Sequence, residues 1–426
     1  MTLKKAGYRR RIIDDKIEKY MQAFSALSIE GPKWCGKTWT VLNHANSVVF
    51  FQDPKDGKSI LEAARLSPLT VLSGQQPVAI DEWQEFPGIW DAVRHAVDMN
   101  PGVGQYLLTG SATPRRDTYS HSGIGRIARL KMRTMTLYEM GLSSGQVSLA
   151  SLLAGEKQEP VLSKMASEKL IEIIVRGGWP SNILAEAEDA HLLANQYIDA
   201  LVTTDISDLD NKRRRPELVE RLLKSFARVT ATTAGNNKIV ADMLDHDATI
   251  ARQTLSEYIS SLMRLHIVEE IPQWFPELRS KLRLRKAPKR ILADPSLAVA
   301  ALGATPYSLA RDGRTMGQLF ENLCLHELLV YVDSIDGLLC HYRDSDELEI
   351  DAIVETRDGR WGGIEIKLGA HRVEEGANSL KRLSNKLTEK GVKSPEFLAV
   401  ITGGGLCHQR EDGIYVIPID CLGPET

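Results

Sequence analysis

Apolar residues in the first third of the chain fall in short runs separated by mixed stretches. Residues 26–29 (ALSI) form a mostly apolar run just before Gly31, and a helix is expected over 36–43. The run 47–51 (SVVFF) is β-branched and aromatic and is followed by Asp53 and Pro54, which reads as a second strand. Residues 77–81 (PVAID) read as a third strand, and 106–109 (YLLT) as a fourth, stopped by Gly110. Between the last two, Ile89, Val93 and Val97 recur about one turn apart and predict a helix over 86–97. Apolar strands separated by helices predict a parallel sheet in an α/β domain.

From residue 152 to 308 helical patterns dominate, broken by GGWPS at 177–181 and by the charged KRRRP at 212–216. Residues 239–268 predict two or three short helices with a turn near 245–248. Residues 278–290 then alternate as a strand through Lys281, Leu282, Arg283, Leu284 and Arg285. Helix, turn and helix followed by a hairpin is the order of a winged helix. Beyond it come an amphipathic helix over 316–332, strands over 339–342, 347–354 and 363–368, a helix over 373–389, and strands over 396–402 and 413–418. Asp358 and Gly359 mark the turn before 363–368. The pattern divides the chain at 1–150, 151–310 and 311–426, with no internal repeat.

Composition narrows the class. Over 426 residues, 53 Lys and Arg against 56 Asp and Glu give a net charge of −3, which excludes a globally basic nucleic-acid binder but not a local basic patch. Cys35, Cys324, Cys340, Cys407 and Cys421 are odd in number and form no CxxC pair, so neither a disulfide scaffold nor a zinc knuckle is expected. No apolar stretch reaches membrane-spanning length and no signal-peptide core follows the basic N-terminus. A reducing cytoplasm and no membrane partner are therefore expected.

Residues 31–38 read GPKWCGKT and fit G-x-x-x-x-G-K-[ST] at every fixed position. The loop Gly31, Pro32, Lys33, Trp34, Cys35 and Gly36 would cradle phosphates at a helix N-terminus through its backbone N–H groups. Lys37 would reach the β- and γ-phosphates of ATP, and the Thr38 hydroxyl would ligate Mg²⁺. Cys35 lies inside this loop, so its alkylation is expected to block nucleotide. The strand VAIDE ends in two acids. Asp81 is expected to hold Mg²⁺ through water, and Glu82 to orient and deprotonate the attacking water. Thr109 and Ser111, at the end of the fourth strand, are candidates to contact the γ-phosphate or the water. Arg126 or Arg129 is the candidate arginine finger.

Together GPKWCGKT, VAIDEWQEFPGIWDAV, LLTGSA and GRIARLKMRTMTLYEMG resemble the prokaryotic AAA-type ATP-binding proteins that carry a C-terminal nuclease-like domain. The resemblance extends through RGGWP at 176–180, KRILADPSLAVAAL at 289–302 and GQLFENLCLHELL at 317–329. It implies a P-loop ATPase domain, a helical middle with a winged helix, and a restriction-endonuclease-like α/β domain.

The C-terminal stretch carries Glu321 on a helix, Asp351 in LEIDAIVE, and Glu365 and Lys367 in IEIKLG. Glu365 and Lys367 are two apart on a strand and so share a face, with Asp351 one hairpin away. Carboxylates that bind Mg²⁺ or Mn²⁺ beside a lysine are what metal-assisted phosphodiester hydrolysis requires. The set is similar to the PD-(D/E)xK nuclease superfamily, which implies Glu321, Asp351 and Glu365 as metal ligands and Lys367 as a catalytic residue. Fold alone does not decide activity, and such a domain also serves as a binding scaffold.

Residues 279–290 (RSKLRLRKAPKR) hold seven basic residues and no acid, a surface for nucleic-acid phosphates or a solvated hairpin edge. His371 and Arg372 follow the ExK strand. The expected function is an ATP-hydrolysing switch or motor acting with nucleic acid, DNA before RNA, with metal-dependent cleavage by the C-terminal domain left open. Self-assembly into a homo-oligomer is compatible with it. The alternatives are an ATP-controlled scaffold and a winged-helix regulator.

Overall fold

The computed structural model describes residues 3, 5–113, 122–183, 185, 188–209, 214–244, 252–276 and 287–425. Its chain packs as two compact units, Met1–Thr134 with Ser261–Ile267, and Met135–Ser260 with Val268–Thr426.

The first unit runs α1 (Ile12–Met21), β1 (Ala26–Glu30), α2 (Lys37–His44), β2 (Ser47–Phe50), α3 (Gly57–Leu66), α4 (Pro68–Val71), β3 (Val78–Asp81), α5 (Gly88–Met99), β4 (Tyr106–Gly110) and β5 (Ile127–Lys131). Among the described residues its strands form one sheet in the order β2-β3-β4-β1-β5, every pairing parallel. The four strands expected from apolar runs are present. β5 is an addition, and its sequence IARLK carries two cations in five residues, which hides it from an apolar-run criterion.

All five residues of β1 are buried, because helices cover both sheet faces. Ala26, Ile80 and Leu108 pack on one face with Trp83, Ile89 and Trp90. Leu27, Ile29, Ala79 and Leu107 pack on the other with Ile17 and Val41. Central strands buried on both faces read as continuous apolar runs, which is why they were legible. β1 lies between β4 and β5, so its carboxyl end opens at a crossover point of the sheet, where α/β folds bind ligands.

The second unit begins with β6 (Val147–Ser148), α6 (Leu149–Leu153), β7 (Val161–Leu162), α7 (Ser167–Arg176), α8 (Leu192–Ala200), α9 (Ile206–Asp208), α10 (Pro216–Arg228), α11 (Asn236–Leu244) and α12 (Arg252–Arg264), whose last residues cluster with the first unit. β8 (Val268–Ile271) and β9 (Lys289–Leu292) pair antiparallel, Val268 opposite Leu292 and Ile271 opposite Lys289. β9 shares only Lys289 and Arg290 with the strand expected over 278–290. The expected turn at 245–248, Lys212, Arg213 and residues 277–286 of the expected strand lie outside the described residues.

α13 (Pro295–Leu302), α14 (Pro306–Arg311) and α15 (Gly313–Ser334) follow. Asp294 caps α13 by accepting from Ser296 N, with Pro295 at the first helical position. The same carboxylate accepts from Gly178 N at 2.9 Å, and Trp179 Nε1 donates to Ser296 Oγ at 2.9 Å. RGGWP and ADPS, two of the segments that carried the resemblance, are therefore one packing joint. α15 was expected to be amphipathic, but it is buried without interruption from Asn322 to Leu328. It is a core helix whose polar residues find partners inside: Asn322 Nδ2 donates to Leu292 O, and Glu327 accepts from Leu137 N and Tyr331 Oη.

β10 (Leu338–Arg343), β11 (Glu349–Glu355), β12 (Trp361–Lys367), α16 (Val373–Glu389), β13 (Phe397–Thr402), β14 (Leu406–Gln409), β15 (Tyr415–Pro418) and β16 (Leu422–Gly423) complete the chain. Among the described residues, β16 pairs with β6, while β10 to β15 form a mixed sheet with β7 in the order β10-β11-β12-β13-β15-β14-β7. α16 packs on it through Ala377, Leu380 and Leu383.

Candidate functional site

The phosphate loop leaves the carboxyl end of β1 and enters α2. Gly36 has φ +106°, which only glycine adopts without strain, and a Cβ on Gly31 would lie 2.1 Å from Met132 O. Trp34 holds φ +63°, a strained value for a bulky residue and one that functional loops retain. Pro32 is buried and Lys33 half-buried. Lys37 is buried, and its Nζ donates to Gly31 O at 3.0 Å and Pro32 O at 2.8 Å. Cys35 is fully buried with Sγ against Met132 O. Alkylation at Cys35, expected to block nucleotide, would therefore require the loop to open first.

The acids of β3 meet the loop through hydroxyls. Asp81 Oδ1 accepts from Thr38 Oγ1 at 2.8 Å and from Thr109 Oγ1 at 2.7 Å. Glu82 N in turn donates to Thr109 Oγ1 at 3.0 Å. Burial pushes the Asp81 carboxyl above the usual range, and the two threonine hydrogen bonds offset part of that. Glu82 sits at φ +52°, and its Oε2 accepts from Ser111 Oγ at 2.7 Å, Ser111 N at 3.2 Å and Gln84 Nε2. Thr38, Asp81, Glu82, Thr109 and Ser111 thus converge at one edge of the sheet, as sequence spacing suggested. Gln84 was missed, its only signal being its place two residues after the acid.

Arg126 does not join them. Ala26, the first residue of β1, donates its N–H to Arg126 O, whereas the phosphate loop leaves from the other end of that strand. Five strand residues at about 3.3 Å each separate the two ends. The Arg126 guanidinium pairs with Asp98 at 2.9 Å instead. The expectation of an arginine finger at Arg126 is corrected for the single chain on this geometry. Arg129 lies nearer, with Nη1 3.2 Å from Glu30 Oε1.

Sequence reasoning also missed the support behind the loop. Arg11 donates to Cys35 O at 2.8 Å and to Arg133 O at 2.9 Å. Asp14, fully buried on α1, accepts from Arg11 N, from Tyr8 Oη and from His44 Nε2, and so ties α1 to the end of α2.

In the second unit Glu321 from α15, Asp351 from β11, and Glu365 and Lys367 from β12 also converge. Lys367 Nζ lies 2.6 Å from Glu365 Oε2 and 3.9 Å from Asp351 Oδ2. A residue not expected here joins them. Lys289, 1% exposed at the start of β9, places Nζ 2.7 Å from Glu321 Oε1, 3.2 Å from Asp351 Oδ1 and 3.9 Å from Glu349 Oε1.

Burial and then the charge of Asp351 push Glu321 and Glu365 above the carboxylate range. Burial opposes the charge on Asp351 too, but Lys289 and Lys367 outweigh it and hold that carboxyl low. Divalent ions contact oxygens at about 2.0–2.6 Å. An ammonium already bridging Glu321 and Asp351 fills that place and repels a second cation. The donor set does not fit Mg²⁺ or Mn²⁺, and the expected metal ligation by Glu321, Asp351 and Glu365 is corrected accordingly. Among the described residues no cluster of three or more His, Cys, Asp or Glu suits a metal.

Two of the seven cations at 279–290 are committed elsewhere: Lys289 to this cluster, and Arg290 to Glu270 at 2.9 Å. Arg214 is buried with its guanidinium 4.9 Å from the Tyr258 ring centroid, and Arg372 pairs with Glu375.

Comparison with known proteins agrees with the first unit. Residues 23–141 match an AAA domain family, residues 167–308 a domain of unknown function, and residues 316–422 another domain of unknown function. Uncharacterized proteins of Mycobacterium tuberculosis and Mycobacterium bovis are each 24% identical over 365 residues, 84% of this chain and 74% of theirs.

Among solved structures, the Walker-type ATPase PabY2304 of Pyrococcus abyssi superposes with a TM-score of 0.42 at 13% identity, over 71% of this chain and 99% of that one. The replication initiator DnaA, bound to AMPPCP and single-stranded DNA, superposes at 0.28 and 12% identity, over 61% of this chain and 89% of that one. Scores this low carry no functional argument. The P-loop lies in the first unit, within the residues 23–141 that are similar to AAA domains. No described helix is long and apolar enough to cross a membrane.

Proposed function

We propose that this protein is an ATP-hydrolysing switch that acts with nucleic acid, DNA in the first place. The observation that carries the ATPase reading is the join between loop and acids, in which one Asp81 oxygen accepts from both Thr38 and Thr109. The hard-oxygen set of Thr38 and Asp81 fits Mg²⁺, which supplies charge neutralisation at the phosphates when bound. The loop N–H groups and Lys37 hold the β- and γ-phosphates. Glu82 takes the proton of the attacking water, and Ser111 and Gln84 hold its carboxylate in place. Thr109 fixes the backbone turn that presents Glu82.

The nucleic-acid part of the reading is supported by the helix–helix–hairpin order of α11, α12, β8 and β9, and by the cations at 279–286. Lys289 among the carboxylates favours a C-terminal domain that binds without cutting. Steady-state ATP turnover by the full chain, with and without double-stranded DNA, single-stranded DNA or RNA, tests the reading. Stimulation by DNA is expected. Turnover indifferent to all three would leave an ATP-controlled scaffold.

A further inference from the structure

We propose that the Lys289 ammonium is the resident cation of the C-terminal acidic cluster, closing it to divalent ions, and that removing this one charge opens a divalent-cation site there. The inference does not depend on the ATPase reading. Its basis is the placement of charges. Glu321, Glu349, Asp351 and Glu365 come from a helix and two strands, and Lys289 reaches three of them from a fourth element, β9. Lys367 and Glu365 form a second pair alongside.

An ammonium this buried needs partners that offset its lost hydration, and carboxylates this close repel unless a cation lies among them. Each charge therefore explains the other. The register holds the arrangement, since Lys289 is opposite Ile271 in the hairpin and shares its inward face with buried Ile291.

Access is not the obstacle. A cavity of about 490 Å³ reaches Lys289, Glu321, Glu349 and Asp351, with Thr232, Gly235 and Lys238 on its other walls. Ions can approach the carboxylates from solvent, so the occupant and not the path excludes them. Methionine at position 289 keeps the length of the stem and removes the charge. The carboxylates it leaves behind are hard oxygen donors of the kind that Mn²⁺ and Mg²⁺ take.

The test is Mn²⁺ binding to the nucleotide-free full chain, read from the electron paramagnetic resonance of free Mn²⁺. Wild type and Asp351→Asn should bind the same amount. Lys289→Met should bind one further Mn²⁺ per chain, and Lys289→Met with Asp351→Asn should lose it. Mn²⁺ should raise the melting temperature of Lys289→Met more than that of wild type. Wild-type Mn²⁺ binding that disappears in Asp351→Asn would overturn the proposal, and that comparison stands even if Lys289→Met does not fold. A folded Lys289→Met that gains no Mn²⁺ would overturn it equally.

Discussion

Lys37 and Lys289 are both buried ammonium groups, and their partners decide what each does. Lys37 donates to two neutral carbonyls, which orient its charge without cancelling it. Lys289 faces three carboxylates, which consume it. A charge held on dipoles at a phosphate loop is available to an incoming anion. Lys37→Ala should therefore weaken ATP binding by about 100-fold, equivalent to about 3 kcal/mol, with the far-ultraviolet circular dichroism of the wild type. Isothermal titration measures this, and ATP bound at near wild-type affinity would remove Lys37 from the phosphate site. Cys35 gives a second test at this scale. N-ethylmaleimide applied to the native protein should leave ATP affinity unchanged, because the thiol is buried against Met132 O. Loss of binding on labelling at Cys35, identified by peptide mass, would show that the loop opens.

At the scale of elements, α1 and α2 are bound by Asp14. Burial raises the cost of its charge, but His44, the Arg11 N–H and Tyr8 more than repay it, so its pKa is lowered. A carboxyl lowered on folding stabilises above its unfolded pKa of about 3.9, and that stability is lost as pH falls through the folded value. Asp14→Asn should cost about 1–3 kcal/mol at pH 7. It should also flatten the stability curve below about pH 4, measured by urea denaturation across pH. An unchanged acid limb would mean that other carboxyls set it. How much of the fold was legible follows the same logic of environment. β1, β3 and β4 are buried on both faces, and each showed as an apolar run. β5 carries Arg129 and Lys131 and did not. In the candidate sites, the loop and acids were legible because chemistry fixes their spacing. Lys289 was not, because a cation in a run of cations reads as solvated. Its one signal was alternation, two residues from buried Ile291 on the same face of β9.

Across the whole molecule, net charge −3 forces any nucleic-acid contact to be local. Of the seven cations at 279–290, Lys289 and Arg290 are paired with acids, so the proposed contact is assigned to those at 279–286. Replacing Lys281, Arg283 and Arg285 by Ala should weaken DNA binding and flatten the plot of log affinity against log salt by about one unit per lost phosphate contact. Arg290→Ala should leave that slope unchanged, as it already pairs with Glu270. Fluorescence anisotropy at several salt concentrations reads both. Equal slopes in the triple variant and wild type would move the nucleic-acid contact off this hairpin.

The ATPase site carries the account, and Glu82→Gln tests it most directly. Glutamine keeps the side-chain oxygen that Ser111 holds but cannot take a proton from water. The full chain carrying this substitution, assayed for Mg²⁺-dependent phosphate release and for ATP affinity together, should bind ATP within a few-fold of wild type. Its turnover should fall by about 10²–10⁴. Turnover at the wild-type rate in that variant would contradict the account.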